Sequence, residues 1–584
     1  MNARFRTFSK PSTTRFLIIS ISVIMHIVPS HIAILTTIEN GNCRQYGLYF
    51  PFYTAYTVIC LGSLQLAVMV VFGYMAYRNA RRLHTIVRPT ENRHINNRPN
   101  TNLYCRDQSL LVMLLAEAAV YVLTMGFYSC LFFFIENATS KQPVIRNFTI
   151  IGNDFMKDGQ LYRIIAGSIH YWRSLPQDWQ NRLSLIKKLG CNTITTYIWW
   201  ALHEPEDGMF VFDKPEHDFL LFIQLAHSLD LLVIVGIGPY ITGDVDFGGF
   251  PYWITKQKQI SIRRPNQVYY QLIDRYFDQL IPRLVPLQYH LGGNIINFQI
   301  EDDSDLPLIS FDDSHLYYGY LRDGLIRRGI QTLINTLAWP DSLSLKKAII
   351  PNTWTALEYT IHHSTPDALA TLRKHLPDNN PFMVMEYYPA WMDYEGKPHQ
   401  TMDSEQFSNG VDKILSYNGS INFYMVFGGT NFQFTNGGDW TLVYHSITTS
   451  YDYDTMITEC GDAHQTKFKA VRDVIGKYLP LEPMPTPLPS SKGLYGTIQF
   501  DSQAELIQNL RPFDVLYNSN TPIQFEYLNQ SYGYILYSTQ LKNFIDIIEP
   551  LLLPWMQDRA VVSLDGIVQG CIGWSEKDPI TILN

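Results

Sequence analysis

The sequence predicts an α/β chain built on a (β/α)8 TIM barrel, with about three membrane-spanning helices ahead of it and a short all-β domain behind it. Three observations carry this prediction. Apolar stretches of membrane-crossing length precede residue 140. From about residue 148, short β-branched runs alternate with amphipathic helical segments. After a proline-rich break near residue 480, only strand-like runs remain. A chain of 584 residues exceeds one compact core and leaves room for such appendages.

The apolar stretches cover residues 16–35, 52–77 and 109–134, each long enough to cross a hydrocarbon core of roughly 30 Å. A signal peptide would be shorter and followed by a cleavage site. Between the second and third stretches lies a segment with seven arginines, from Arg78 to Arg106, whereas the loop between the first two carries only Arg44 against Glu39. The positive-inside rule then puts the arginine-rich loop in the cytoplasm and everything after residue 135 outside. The sequons at Asn137, Asn147, Asn418 and Asn529 agree with that orientation. The expected location is a membrane, with the barrel facing the extracellular space or an endomembrane or lysosomal lumen.

In the region 148–479, WQNRLSLIKKLG puts Leu183, Ile186 and Leu189 on one helical face and stops at Gly190. NTITTYIWW follows as a strand. The helix LLFIQLAHSLD precedes the strand LLVIVGIG, and the helix beginning YYQLIDRYF precedes NIINFQI; FMVMEYY and INFYMVF are later strands. Repeated units of this kind imply a parallel sheet, and this many suggest closure into a barrel. LPLEPMPTPLPSSKG then reads as a linker over 480–493, followed by a partial β domain over 494–584 with strand-like runs PIQFEYL, YGYILYST and RAVVSLDGIVQGCIG. With so few strands, that domain reads as truncated.

A net charge of −8 and the lack of a basic patch argue against a nucleic-acid partner. Seven cysteines without a CxxC pair or a Cys/His cluster argue against a metal site or a disulfide framework. In β/α barrels the chemistry lies at the C-terminal strand ends, where Tyr197, His203, Glu204, Asp244, Asp246, Asp302, Asp303, Glu386, Tyr387, Tyr388 and Asn431 gather. Carboxylates and aromatics in such a ring suit sugar chemistry, which two carboxyl groups can perform without a cofactor.

The motifs GSIHYWRSLPQDW, GPYITGDVDFGGFPYWI, GGNIINFQIEDDSD, FMVMEYYPAWMDYEGKPHQ, FGGTNFQFTNGG and TSYDYDTMITECGD, in this order, resemble the family 35 glycoside hydrolases, chiefly β-galactosidases, from about residue 148 onward. The resemblance implies a retaining mechanism, a β-galactoside or galactose-terminated glycan as substrate, and no cofactor. It also implies a nucleophile at Glu386, an acid/base at the position of Asp303, and sugar contacts at Tyr197, Asp244, Asp302, Tyr388, Trp391 and Tyr453. Residues 1–135 more weakly resemble a fragment of a rhodopsin-like receptor. They lack the first three and the seventh helices of that family, so a simple anchor or a fused gene product is the reading.

The sequence departs from the family pattern at the acid/base. Asp302 and Asp303 stand where the family has Asn-Glu, and Glu301 lies two residues back, about 6 to 7 Å deeper along a strand. Shortening Glu to Asp withdraws the carboxyl by about 1.5 Å, a misplacement worth on the order of a hundredfold in rate. In the loop after LLVIV, Gly236, Thr242, Asp244 and Val245 replace the family's Arg, disulfide-forming Cys, sugar-binding Glu and Trp. The expectation is therefore an outward-facing, membrane-anchored β-galactosidase-like enzyme of reduced activity. The alternative is a non-catalytic sugar-binding protein.

Overall fold

The computed structural model describes residues 146–302, 310–440, 444–464, 466–484, 492–506, 509, 517–540, 550–551, 558–573 and 580–581. The three apolar stretches before residue 140 lie outside the described residues. Among the described residues no helix is long and apolar enough to cross a membrane.

Three short strands open the described chain as an antiparallel sheet: β1 (Phe148–Ile151), β2 (Asp154–Lys157) and β3 (Gln160–Leu161). Eight parallel strands then close into a barrel: β4 (Ile165–Ser168), β5 (Thr193–Tyr197), β6 (Leu232–Gly236), β7 (Ile295–Gln299), β8 (Leu333–Ala338), β9 (Trp354–Glu358), β10 (Met383–Tyr387) and β11 (Ser420–Phe423). Each pairs with its neighbour in chain order, and β11 closes on β4 through Ile421 opposite Ile165. The third, fourth, seventh and eighth of these strands and the second are those read from the sequence; β4, β8 and β9 complete the ring.

Strand residues are nearly all buried because helices cover the outside while side chains fill the inside. Helix α1 (Trp179–Leu189) lays Leu183, Ile186 and Leu189 against the sheet and ends at Gly190, whose φ of 114° suits the left-handed cap. Helices α2 (Phe219–Ser228), α3 (Gln267–Leu284) and α4 (Phe311–Arg327) follow β5, β6 and β7. Asp218, Asn266 and Ser310 cap their first turns by accepting from Leu221, Tyr269 and Asp313 backbone N–H groups. The antiparallel sheet closes the N-terminal end of the barrel. Phe148 and Phe155 join the interior cluster of Ala166, Leu232, Ile296 and Met385, and the Phe155 ring meets Trp354 edge-on at 5.1 Å.

The tail differs from the sequence reading. Of its three strand-like runs, only the last forms a hairpin, β12 (Arg559–Leu564) with β13 (Ile567–Gly573), turning at Asp565-Gly566 with both residues at positive φ. PIQFEYL contains a 3₁₀ turn at Glu526–Leu528, and YGYILYST is irregular. Strand-forming composition needs a partner edge for its backbone groups. Here Tyr527 and Tyr534 instead stand exposed.

Candidate active site

The C-terminal mouth of the barrel collects one side chain or more from most strands. Tyr197 is the last residue of β5, Glu358 the last of β9, and Glu386 the penultimate residue of β10 with Tyr388 just beyond the strand. Asp302 follows β7. Asp244 sits in the loop after β6, and Tyr451 and Tyr453 in a loop after β11.

The Glu386 carboxylate is buried and accepts two hydroxyls. Tyr197 donates to its Oε1 at 2.7 Å, and the Tyr388 hydroxyl lies 2.6 Å from its Oε2. Burial first, and then Asp302 and Glu386, push the Tyr197 phenol well above its ordinary range, so it remains a donor. Its oxygen is also 3.5 Å from Asp302 Oδ1, which accepts from the Gln299 side chain at 3.1 Å. Tyr197, Asp302, Glu386 and Tyr388 therefore form one cluster. Gly236 makes room for it, because a Cβ there would come within 2.3 Å of the Tyr197 ring.

Glu301 is turned elsewhere. At φ 55° its side chain leaves the mouth, pairs with Arg263 at 3.0 Å and accepts from Tyr317 of α4. Burial raises its carboxyl above the usual range against the opposing pull of Arg263. Arg263 also donates to the Asp302 carbonyl at 2.7 Å, so one guanidinium braces both the side chain and the backbone at the end of β7. Asp303, the acid/base position by resemblance, lies outside the described residues.

Asp244 forms a second cluster. Its Oδ2 accepts from Tyr451 and, at 3.1 Å, from Tyr453. Desolvation pushes its carboxyl up, against those hydroxyls and Arg173. The Arg173 guanidinium stacks 3.5 Å from the Tyr451 ring centre and donates to Asn431 at 2.8 Å and to the Gly243 carbonyl at 2.5 Å. Trp391 stands at the rim, 37% exposed, with its ring 5.1 Å from Tyr388 and 6.0 Å from Tyr453. The two clusters are bridged by aromatic rings, Tyr424 lying 6.2 Å from Tyr197 and 6.0 Å from Tyr453.

Sequence reasoning missed Glu358, Arg173, Arg263 and Tyr451. Glu358 was legible in principle: an eight-strand count demands strands between NIINFQI and FMVMEYY, and WTALE ends in a carboxylate. Among the described residues, no group of three or more His, Cys, Asp or Glu side chains is placed to hold a metal ion.

Residues 154–478 match the family model described as "Glycosyl hydrolases family 35". The chain belongs to this family. Residues 522–583 match a second model, "Beta-galactosidase, first all-beta domain". Family 35 relatives of similar sequence include "Beta-galactosidase" of Pongo abelii, 33% identical over 439 residues, which cover 74% of this chain and 63% of that protein. "Beta-galactosidase-1-like protein" of Mus musculus is 33% identical over 437 residues, covering 73% and 66%. "Beta-galactosidase 17" of Arabidopsis thaliana is 33% identical over 499 residues, covering 81% and 69%. The chain thus spans about two thirds of the length of these family 35 members.

Proposed function

We propose that this chain is a β-galactosidase-like glycoside hydrolase that releases terminal β-linked galactose with retention of configuration, at a reduced rate. The observation that carries the reading is the Glu386 carboxylate, buried at the barrel mouth and held through both oxygens by tyrosine hydroxyls. A carboxylate fixed in that way is ready to attack an anomeric carbon and form a glycosyl-enzyme intermediate. Tyr197 and Tyr388 hold the nucleophile; Tyr388, Trp391 and Tyr453 form the apolar wall for the sugar, and Asp244 and Asp302 supply acceptors to its hydroxyls. Asp303 takes the acid/base role, protonating the leaving oxygen and then deprotonating the incoming water. Its shorter reach is the cause of the reduced rate.

A sugar-binding protein without turnover is the second reading, favoured by Asp302 and Asp303 where the family has Asn-Glu and by Asp244 where it has Glu. Hydrolysis of a chromogenic aryl β-galactoside by the full chain separates the two, because an activated leaving group needs little acid assistance. Turnover that Glu386→Gln abolishes supports the enzyme. Restoring Asn and Glu at 302 and 303 is then expected to raise the rate on an unactivated galactoside by up to about 10²-fold. Binding of galactose without turnover, even in the restored variant, establishes the second reading.

The N-terminal region is proposed to anchor the barrel in a membrane on its extracellular or lumenal side. The arginine-rich loop and the three apolar stretches support this, as do Asn147, Asn418 and Asn529, which lie at exposed positions of the barrel unit. Glycan attached at Asn418 in cells, read as a glycosidase-sensitive mass shift, is the expected result; an unmodified protein that extracts without detergent rejects the anchor.

A further inference from the structure

The Tyr388 hydroxyl is shared. Its oxygen lies 2.6 Å from Glu386 Oε2 and 2.7 Å from Glu358 Oε1, both hydrogen-bond distances, yet it carries a single hydrogen. An ionised carboxylate can only accept. Two ionised carboxylates therefore cannot both be bonded to one phenol, and one of the two contacts needs a hydrogen from the carboxyl side. A phenolate does not resolve the conflict, since burial, then Glu358 and Glu386, push the Tyr388 phenol well above its ordinary range. One carboxyl of the pair is protonated.

The neighbours decide which. Glu386 accepts the Tyr197 hydroxyl at 2.7 Å on its other oxygen, and a hydrogen bond donated to a carboxylate favours its ionised form. Glu358 stands beside it across the β9–β10 pairing, buried, where a second negative charge would repel the first. Titratable groups around this line of oxygens include Tyr197 from β5, Asp302 after β7, Asp244 after β6, and Tyr424, Tyr451 and Tyr453 after β11. The phenols stay neutral.

We infer that Glu358 is a positioning residue that carries a proton at neutral pH and donates it to the Tyr388 oxygen, committing the Tyr388 hydrogen to Glu386. This rests on the reading of Glu386 as nucleophile. Its consequence is that Glu386 sits beside a neutral hydrogen-bonded chain rather than beside a second anion. Loss of the Glu358 proton at high pH turns the chain around and withdraws a donor from Glu386.

The test compares the full chain with Glu358→Gln and Glu358→Ala, each first checked by its melting temperature. In infrared difference spectra at neutral pH, wild type minus Glu358→Gln is expected to show a carboxylic-acid C=O band that shifts in D2O. A difference containing only carboxylate bands overturns the inference, whether or not the protein turns over sugar. In the kinetic arm, Glu358→Gln, a neutral donor of the same shape, is expected to keep kcat/KM on an activated aryl galactoside within about threefold and to lose the basic limb of its pH profile, while Glu358→Ala falls by about tenfold or more. A Gln variant as impaired as the Ala variant, with the basic limb unmoved, also rejects the proton on Glu358. If wild type itself shows no turnover, the proposed function fails while the infrared result still decides this inference.

Discussion

At the end of β10 the Glu386 carboxylate is fixed through both oxygens by buried tyrosines, whereas across the mouth the ends of β6 and β7 carry Gly236, Thr242, Asp244, Val245 and Asp302 where the family resemblance calls for other residues. The difference tracks what each group does for folding. Tyr197 and Tyr388 are core aromatics as well as hydroxyl donors, so changing them disturbs packing. The β6 loop is packed too, with Val245 in the core and Asp244 accepting from Tyr451 and Tyr453, but its contacts come from loop residues outside the barrel strands.

Four measurements sharpen or break that contrast. Arg263 braces the altered side, and removing it leaves Glu301 as a buried carboxylate without its partner. Arg263→Met is expected to lower unfolding free energy by about 3 kcal/mol in urea titration. A change near zero would mean that the β7 end is as dispensable as its sequence changes suggest. Tyr197→Phe removes one donor from Glu386, and a hydrogen bond to a charged group is worth about 2 kcal/mol. The expected result is a fall of about thirtyfold in kcat on an aryl galactoside, with KM nearly unchanged.

Gly236→Ala couples the two sides, since its Cβ must displace the Tyr197 ring. A loss of about tenfold in kcat is expected, smaller than for Tyr197→Phe because the hydroxyl is displaced and not removed. An unaffected enzyme would show the sides to be independent.

The smallest effect concerns the retained HEP turn. His203 Nδ1 donates to the Val211 carbonyl at 3.0 Å, and its Nε2 accepts from the Tyr171 hydroxyl at 2.6 Å. Burial holds this histidine neutral down to about pH 3, against an ordinary value of 6.5. The unfolded chain therefore binds the proton first as pH falls. The stability contribution is complete above about 6.5 and declines below it, by about 1.4 kcal/mol per pH unit for one group. His170, also buried and held well below its ordinary range, adds to the same slope. Between pH 6.5 and 5.5, the slope of unfolding free energy is expected to be about 1 kcal/mol per unit shallower in His203→Gln than in wild type.

The barrel was legible because parallel strands buried on both faces read as continuous apolar runs such as LLVIVG and IINF. The antiparallel sheet at residues 148–161 was not separated from the barrel, since alternation over so few residues marks a strand and not the sheet it joins. The tail runs 522–528 and 532–539 have strand-like composition but form no strand among the described residues, although 522–583 matches an all-β domain model. Within the site, carboxylates at strand ends were visible as residue types. The sharing of one Tyr388 hydrogen between Glu358 and Glu386 was not, because it depends on the register of β9 against β10, which no local pattern encodes.

The Arg263 brace also bears on the history of the site. By gripping both the Glu301 side chain and the Asp302 carbonyl, it holds the main chain at Asp302 just after β7. Asp to Asn and Asp to Glu are each one nucleotide away in the genetic code. On the proposed assignment, this chain stands two point mutations from the Asn-Glu pair that the family resemblance implies.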